Sequence, residues 1–166
     1  MKTANIISGG VVGTTAMTLF SYLVSAHKHK NFKEPLVLSQ LTKKLMPALR
    51  NEYCHTAGWA MHYGAGIAFT GAYSYLWENK NVRPGLKNAL LLGAVNGVLA
   101  VGVWKSVFRM HPNPPAIHFN RYYGHLVMAH LVFATFATMG YHALESYRCR
   151  DKRQVHPGAV PGDGTS

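Results

Sequence analysis

Two histidines within long apolar segments, His62 and His130, are the residues of this chain best suited to chemistry. Neutral imidazoles bind haem iron, copper and zinc, and inside a membrane they also relay protons. Each lies at a similar distance from the start of its segment. Two segments that cross a membrane in the same direction would therefore place both at one depth. The pair predicts a b-type haem or metal site, or a proton or substrate path. The alternative, which we favour, is that each imidazole bonds to a neighbouring helix and no cofactor binds.

A second set of candidate ligands lies in or beside the connections between apolar segments. If the chain crosses the membrane four times, His55, His111 and His118 fall on one side, and Met110 precedes His111. Imidazole and thioether groups bind copper or zinc. These residues therefore predict a metal site, and the alternative is a set of loop histidines at a polar–apolar boundary.

Motifs of hydrolytic enzymes are absent from the sequence. It contains no H-E-x-x-H helix, no phosphate-binding loop and no G-x-S-x-G turn. The six acidic residues lie almost entirely in connections or tails. No pair of carboxylates inside a span is therefore placed for acid–base catalysis, and the sequence favours a protein that is not an enzyme.

Four apolar segments must hold the histidines in position. They are residues 5–26, 55–77, 86–108 and 121–144. The first has 22 residues and no Asp, Glu, Lys, Arg or His. As a helix it is about 33 Å long, enough for a hydrocarbon core of about 30 Å. We predict an all-α polytopic membrane protein with four transmembrane helices in one domain, residues 1–156. A disordered tail rich in glycine and proline, residues 157–166, is expected to follow.

The connection between the first two spans predicts one further helix. Leucines recur at nearly helical spacing in residues 35–49, where Lys43 and Lys44 are among the polar residues between them. Such an amphipathic helix lies in the membrane interface with its lysines toward the head groups. The alternative is a helix packed on a soluble partner domain.

Glycines at four-residue spacing predict how the spans pack. The candidate packing positions are Gly9, Gly13, Gly64, Gly93 and Gly97. Small residues let helix backbones approach closely in lipid, so we expect a four-helix bundle of the glycine-zipper type. Asn96 is expected to face another helix and not lipid.

The chain is strongly basic, with 17 Lys and Arg, six Asp and Glu, and a formal net charge of +11. The bases are scattered through every connection, which favours contact with anionic lipid head groups over nucleic-acid binding. Eight bases fall on one side of the predicted topology and nine on the other. The positive-inside rule therefore leaves the orientation open. The bases that directly follow the fourth span favour cytoplasmic termini.

Residues 9–18, GGVVGTTAMT, resemble the opening of small bacterial inner-membrane proteins of the YagU type. Residues 62–66, HYGAG, are similar to the second span of those proteins. The resemblance covers about half of the chain. It implies a multi-pass protein of the bacterial inner (plasma) membrane and no particular activity.

Three functions are consistent with these patterns. The first is a non-enzymatic scaffold or accessory subunit of a membrane complex, which predicts a homo-oligomer or a larger assembly. The second is a haem- or metal-binding redox or trafficking protein that uses intramembrane histidines. The third is a small oligomeric transporter or channel, because four helices enclose little space.

Overall fold

The computed structural model describes residues 2–28, 32–80, 82, 85–112, 114 and 118–155, and its secondary structure is entirely α-helical. The five helices are α1 (Lys2–Lys28), α2 (Glu34–Leu45), α3 (Asn51–Asn79), α4 (Leu86–Met110) and α5 (Phe119–Val155). The predicted all-α class is confirmed. The predicted tail, residues 157–166, lies outside the described residues.

Three of the five helices are long and apolar enough to cross a membrane. They are α1, α4 and the part of α5 from Phe119 to Tyr147. These helices are compatible with a multi-pass membrane protein. Helix α3 is 29 residues long, but it is rich in glycine, alanine, tyrosine and histidine, which are less apolar than leucine and valine. The predicted second span, residues 55–77, is therefore not confirmed.

Helix α2 overlaps the segment predicted to be amphipathic, residues 35–49, but it begins one residue earlier and ends four residues sooner. It ends at Leu45 because Pro47 has no backbone N–H to continue the helix. Its Pro35 lies in the first turn, where a missing N–H costs little. The helix packs against α3, where the backbone of Gly58 lies directly against Ser39 and Pro35. Its predicted position in the membrane interface stays a prediction.

Glycines lie at the close contacts of the long helices. A Cβ atom at Gly9 would lie 2.7 Å from the carbonyl oxygen of Ala137. A Cβ atom at Gly13 would lie 2.7 Å from the Cβ atom of the same alanine. A Cβ atom at Gly93 would lie 2.9 Å from the carbonyl of His130, and one at Gly97 would lie 2.8 Å from the Cα of Val127. The first pair therefore joins α1 to α5, and the second joins α4 to α5.

The predicted packing position Gly64 makes no close contact within the described part of the chain. It is exposed, and no described atom lies within 4 Å of the Cβ it would carry. Its role in packing stays a prediction, because α3 turns a different face to α1 and α2. Gly66 packs directly against the Thr14 side chain of α1, and Gly58 packs against α2.

The long helices form a curved layer in the order α3, α1, α5, α4. Helices α1 and α5 pack together at the centre, α3 packs on α1, and α4 packs on α5. Helices α3 and α4 make at most marginal contact with each other. A cleft therefore remains between them, and α1 and α5 form its floor.

Candidate ligand-binding cleft

The cleft between α3 and α4 contains a cavity of about 310 Å³ that all five helices help to line. Its walls are mostly apolar and aromatic, with Phe69, Trp104 and Phe133 among the larger side chains. Its polar and ionisable lining residues are Thr14, Glu34, His62 and His130, together with the indole of Trp104. Neither lysine nor arginine is among its described lining residues. An apolar cavity of this size with a few polar groups is typical of a small-molecule site.

His62 is held at the cleft by a chain of hydrogen bonds to α1. The Thr18 hydroxyl donates its single proton to the carbonyl of Thr14, at 2.7 Å. The Nε2 atom of His62 lies 3.0 Å from the same hydroxyl oxygen. Since that hydroxyl proton is already used, Nε2–H must be the donor, and the Nδ1 atom of His62 carries a lone pair. This nitrogen can accept a hydrogen bond or bind a metal ion.

His130 also has one nitrogen in the acceptor form. Its Nδ1 atom lies 2.8 Å from the carbonyl oxygen of Leu126, four residues earlier on α5. A carbonyl only accepts, so Nδ1–H donates and Nε2 keeps its lone pair. The structure thus brings both histidines singled out in the sequence to one cavity, on α3 and α5. His62 bonds to the neighbouring helix α1, as the simpler interpretation expects, whereas His130 bonds within its own helix.

Glu34 is the site residue that the sequence reasoning missed. It lies in the first turn of α2 and is only 2% exposed. The Ser21 hydroxyl donates to its Oε1 atom at 3.2 Å, and the Nε2 atom of His125 lies 2.9 Å from that hydroxyl. His125 Nε2–H therefore donates to Ser21, which in turn donates to Glu34. The Oε2 atom of Glu34 is buried and has no hydrogen-bond partner among the described residues.

The ring of His125 is fixed by two aromatic side chains. Phe20 stacks on it with ring centroids 5.4 Å apart, and Phe32 stacks on it at 4.7 Å. His125 Nε2 also lies 3.7 Å from Glu34 Oε1. Three helices and the residues just before α2 thus meet around one carboxyl group.

Burial raises the pKa of Glu34 to about 8. Loss of water around the charged carboxylate is the dominant cause, and it outweighs a backbone hydrogen bond and the bond from Ser21, which both lower the pKa. The carboxyl group is therefore mostly protonated at neutral pH, and it ionises within the pH range in which proteins work. The sequence held one signal for it, since Glu34 is the first acid of the chain and directly precedes Pro35 and an apolar run.

The residues of the second predicted metal site are not gathered into one centre. His111 is buried, with its Nε2 atom 3.3 Å from the carbonyl oxygen of Leu41. His55 accepts a hydrogen bond from the Trp59 indole at 3.3 Å, while His118 is exposed and Met110 is 82% exposed. Among the described residues, no group of three or more His, Cys, Asp or Glu side chains suits a metal ion. The predicted copper or zinc site stays a prediction.

Asn96 is buried on α4, in the same stripe as Gly93 and Gly97. Its side chain is 4% exposed and lies beside the phenol group of Tyr73 on α3. This position is covered by other helices and lies outside the cleft, and its predicted place away from lipid stays a prediction.

Comparison of the chain with protein-family models, with curated proteins and with solved structures finds no match. The resemblance to YagU-type proteins stays a prediction.

Proposed function

We propose that this chain is a small transporter-type protein of the bacterial plasma membrane that binds a lipophilic amine or alcohol in the cleft between α3 and α4. The observation that supports this most directly is the chemistry of the cleft. An apolar cavity of about 310 Å³ receives Glu34, His62 and His130 from three different helices. A scaffold that acts only through its surface needs no such cavity.

The polar groups of the cleft favour one class of ligand. His62 and His130 each keep one nitrogen lone pair, and the protonated carboxyl group of Glu34 adds acceptor oxygens and a single O–H donor, so hydrogen-bond acceptors predominate. A ligand must then supply donors, as an amine or a hydroxyl group does. An anion would find neither lysine nor arginine among the described lining residues. An ammonium group also gains from the aromatic walls, which include Phe69 and Trp104.

The proposal includes α3 as a fourth membrane span. At about 1.5 Å per residue, a helix of 29 residues is about 43 Å long. Helix α3 runs antiparallel to α1, since Lys2 at the start of α1 pairs with Glu78 at the end of α3 at 2.6 Å. Its close contact with α1 through Gly66 is the kind of packing that small residues allow in lipid. Modest hydropathy is tolerable because part of its surface faces protein.

Two ligands with the same apolar body and different head groups test the proposal. We expect 4-phenylbutylamine to bind the purified protein in lipid nanodiscs, and 4-phenylbutyrate to bind at least about tenfold more weakly, because no lysine or arginine lies among the described residues that line the cleft. Isothermal titration calorimetry against empty nanodiscs separates binding from partition into lipid. Equal affinity for the two ligands would contradict the proposed selectivity.

A matched pair of α3 variants tests whether the cleft is the site. Ala65 lines the cleft and Ala72 does not, and both are exposed. Ala65→Trp is expected to fill the cleft and abolish amine binding, while Ala72→Trp is expected to bind as the wild type does. Binding that survives Ala65→Trp would place the ligand elsewhere.

A haem or metal site is the second candidate, because His62 and His130 line one cavity and each keeps a nitrogen lone pair. An absorption spectrum and elemental analysis of the detergent-purified protein test this candidate. A Soret band or stoichiometric copper or zinc, lost in both His62→Ala and His130→Ala, would support it. Protein that is colourless and metal-free after expression with added haem and metal would contradict it.

The scaffold or accessory-subunit hypothesis stays open beside these two. It predicts a stoichiometric partner or a homo-oligomer after mild solubilisation, and no ligand in the cleft. Size-exclusion chromatography with light scattering measures the mass of the assembly directly.

A further inference from the structure

A second groove, distinct from the cleft, lies between the end of α1 and the start of α5. Its volume is about 550 Å³, and it shares no lining residue with the cleft. Lys28 and Arg121 are the charged residues that line it, and both are exposed. Neither forms an ion pair with a described residue. The groove therefore presents two positive charges without a neutralising carboxylate.

The charged and apolar parts of this groove lie at different depths along the helices. Lys28 is the last residue of α1, and Arg121 lies in the first turn of α5. The two helices run antiparallel, so both cations lie at the same end. Val24 and Phe20 lie about 6 and 12 Å further along α1, and Met128 lies about 10 Å from Arg121 along α5. The groove is thus basic at the ends of two candidate spans and apolar toward their middle.

We propose that this groove binds an anionic phospholipid, with the phosphate between Lys28 and Arg121 and an acyl chain along Phe20, Val24 and Met128. A guanidinium group can donate two parallel hydrogen bonds to the oxygens of one phosphate. Basic pockets at the ends of membrane spans bind lipid head groups. Free phosphate would use the two cations and leave the apolar wall uncovered. The order of charge and apolar surface therefore selects a lipid as the source of the phosphate.

A specific lipid site differs from the general attraction of anionic lipids to a basic protein. A net charge of +11 draws anionic lipid to any exposed base, whereas this groove predicts a defined stoichiometry and dependence on two named side chains. Lys105 and Arg109 provide a matched control. They lie near the end of α4 on the same side, are exposed, and are not among the residues that line the groove.

Native mass spectrometry of the full chain tests the proposal, with phosphatidylglycerol and phosphatidylcholine of identical acyl chains as probes. The wild type is expected to retain one phosphatidylglycerol on the order of tenfold more strongly than phosphatidylcholine. The Lys28→Gln/Arg121→Gln variant is expected to lose this preference, and the Lys105→Gln/Arg109→Gln variant to keep it. An equal loss in both double variants, or no preference in the wild type, would overturn the proposal.

A third variant separates the groove from its charges. Gly124 lines the groove, and no atom of the described residues lies within 4 Å of the Cβ it would carry. Gly124→Leu should therefore fold normally while it fills the groove and leaves both cations in place. It is expected to lose the retained phosphatidylglycerol, and retention at the wild-type level would overturn the proposal. Displacement of the lipid by millimolar inorganic phosphate would assign the site to free phosphate instead.

Discussion

Replacing Glu34 by glutamine is expected to stabilise the protein by an amount that grows as the pH rises. The pKa of Glu34 is about 8 in the folded protein and 4.5 when the group is freely solvated. Between these values the unfolded chain releases the proton while the folded chain retains it. The free energy of unfolding of the wild type therefore falls by about 1.4 kcal/mol per pH unit across this window. The full loss is about 5 kcal/mol, complete once the pH passes the folded-state value.

The glutamine variant keeps the local geometry and removes the titration. Its side-chain carbonyl can still accept the Ser21 hydroxyl, which bonds to Oε1 of Glu34 in the wild type. Thermal unfolding followed by tryptophan fluorescence in detergent, from pH 4.5 to 9, measures the effect. We expect similar Tm values near pH 4.5 and a variant that is more stable by about 10–20 °C at pH 8.

A control on an exposed acid makes this prediction specific. Glu52 lies in the first turn of α3, and its side chain is 76% exposed. Glu52→Gln is expected to follow the wild-type curve at every pH, because a solvated carboxylate has little to gain or lose on folding. A Glu34→Gln advantage that stays constant from pH 4.5 to 9 would indicate a packing effect and would refute the reasoning from desolvation.

Two further predictions concern packing and surface charge. Gly66→Ala is expected to destabilise the protein by about 1–3 kcal/mol, because the new methyl group would overlap the Thr14 side chain. Gly64→Ala is the matched control, and it should be neutral or stabilise the protein by up to about 1 kcal/mol. No described atom lies near the new methyl group, and alanine favours helix more than glycine does. Thermal unfolding of both variants shows whether each substitution stabilises or destabilises the protein. Lys2→Gln should leave Tm nearly unchanged at 150 mM salt, although the Lys2 and Glu78 side chains are 2.6 Å apart. The reason is that salt and water screen a pair at the surface. A fall in Tm of many degrees would show that this ion pair contributes more to stability than its exposure suggests.

The helices themselves could be predicted from the sequence because the signals that define them are local. Apolar runs long enough to cross a membrane coincide with α1 and α4, and proline residues mark the connections. Helix α5 continues to Val155, beyond the predicted end at residue 144, because its basic last turns remain helical after the apolar run stops. Hydropathy alone could not decide whether α3 crosses a membrane, since its small and aromatic residues are neither strongly apolar nor strongly polar.

The carboxyl group at the cleft could not be predicted in the same way. Glu34 follows a run of basic residues in what reads as a surface connection, and the apolar run that follows Pro35 is too weak a signal to mark it as buried. Its burial results from α2 folding back so that Glu34 meets Ser21 and His125, which lie 13 and 91 residues away in the sequence. The two cleft histidines were found because an ionisable side chain inside an apolar run is conspicuous without any knowledge of tertiary contacts.

The gap between α3 and α4 has a consequence for how a ligand would arrive. Met61 and Val103 line the cleft and remain 45% and 62% exposed, so its mouth opens sideways from the bundle, toward the acyl chains that would surround it. A molecule would reach this mouth by diffusing within the bilayer. Occupancy of the cleft would then depend on the mole fraction of the ligand in the membrane. Two compounds with equal intrinsic affinity would differ in potency according to their partition coefficients.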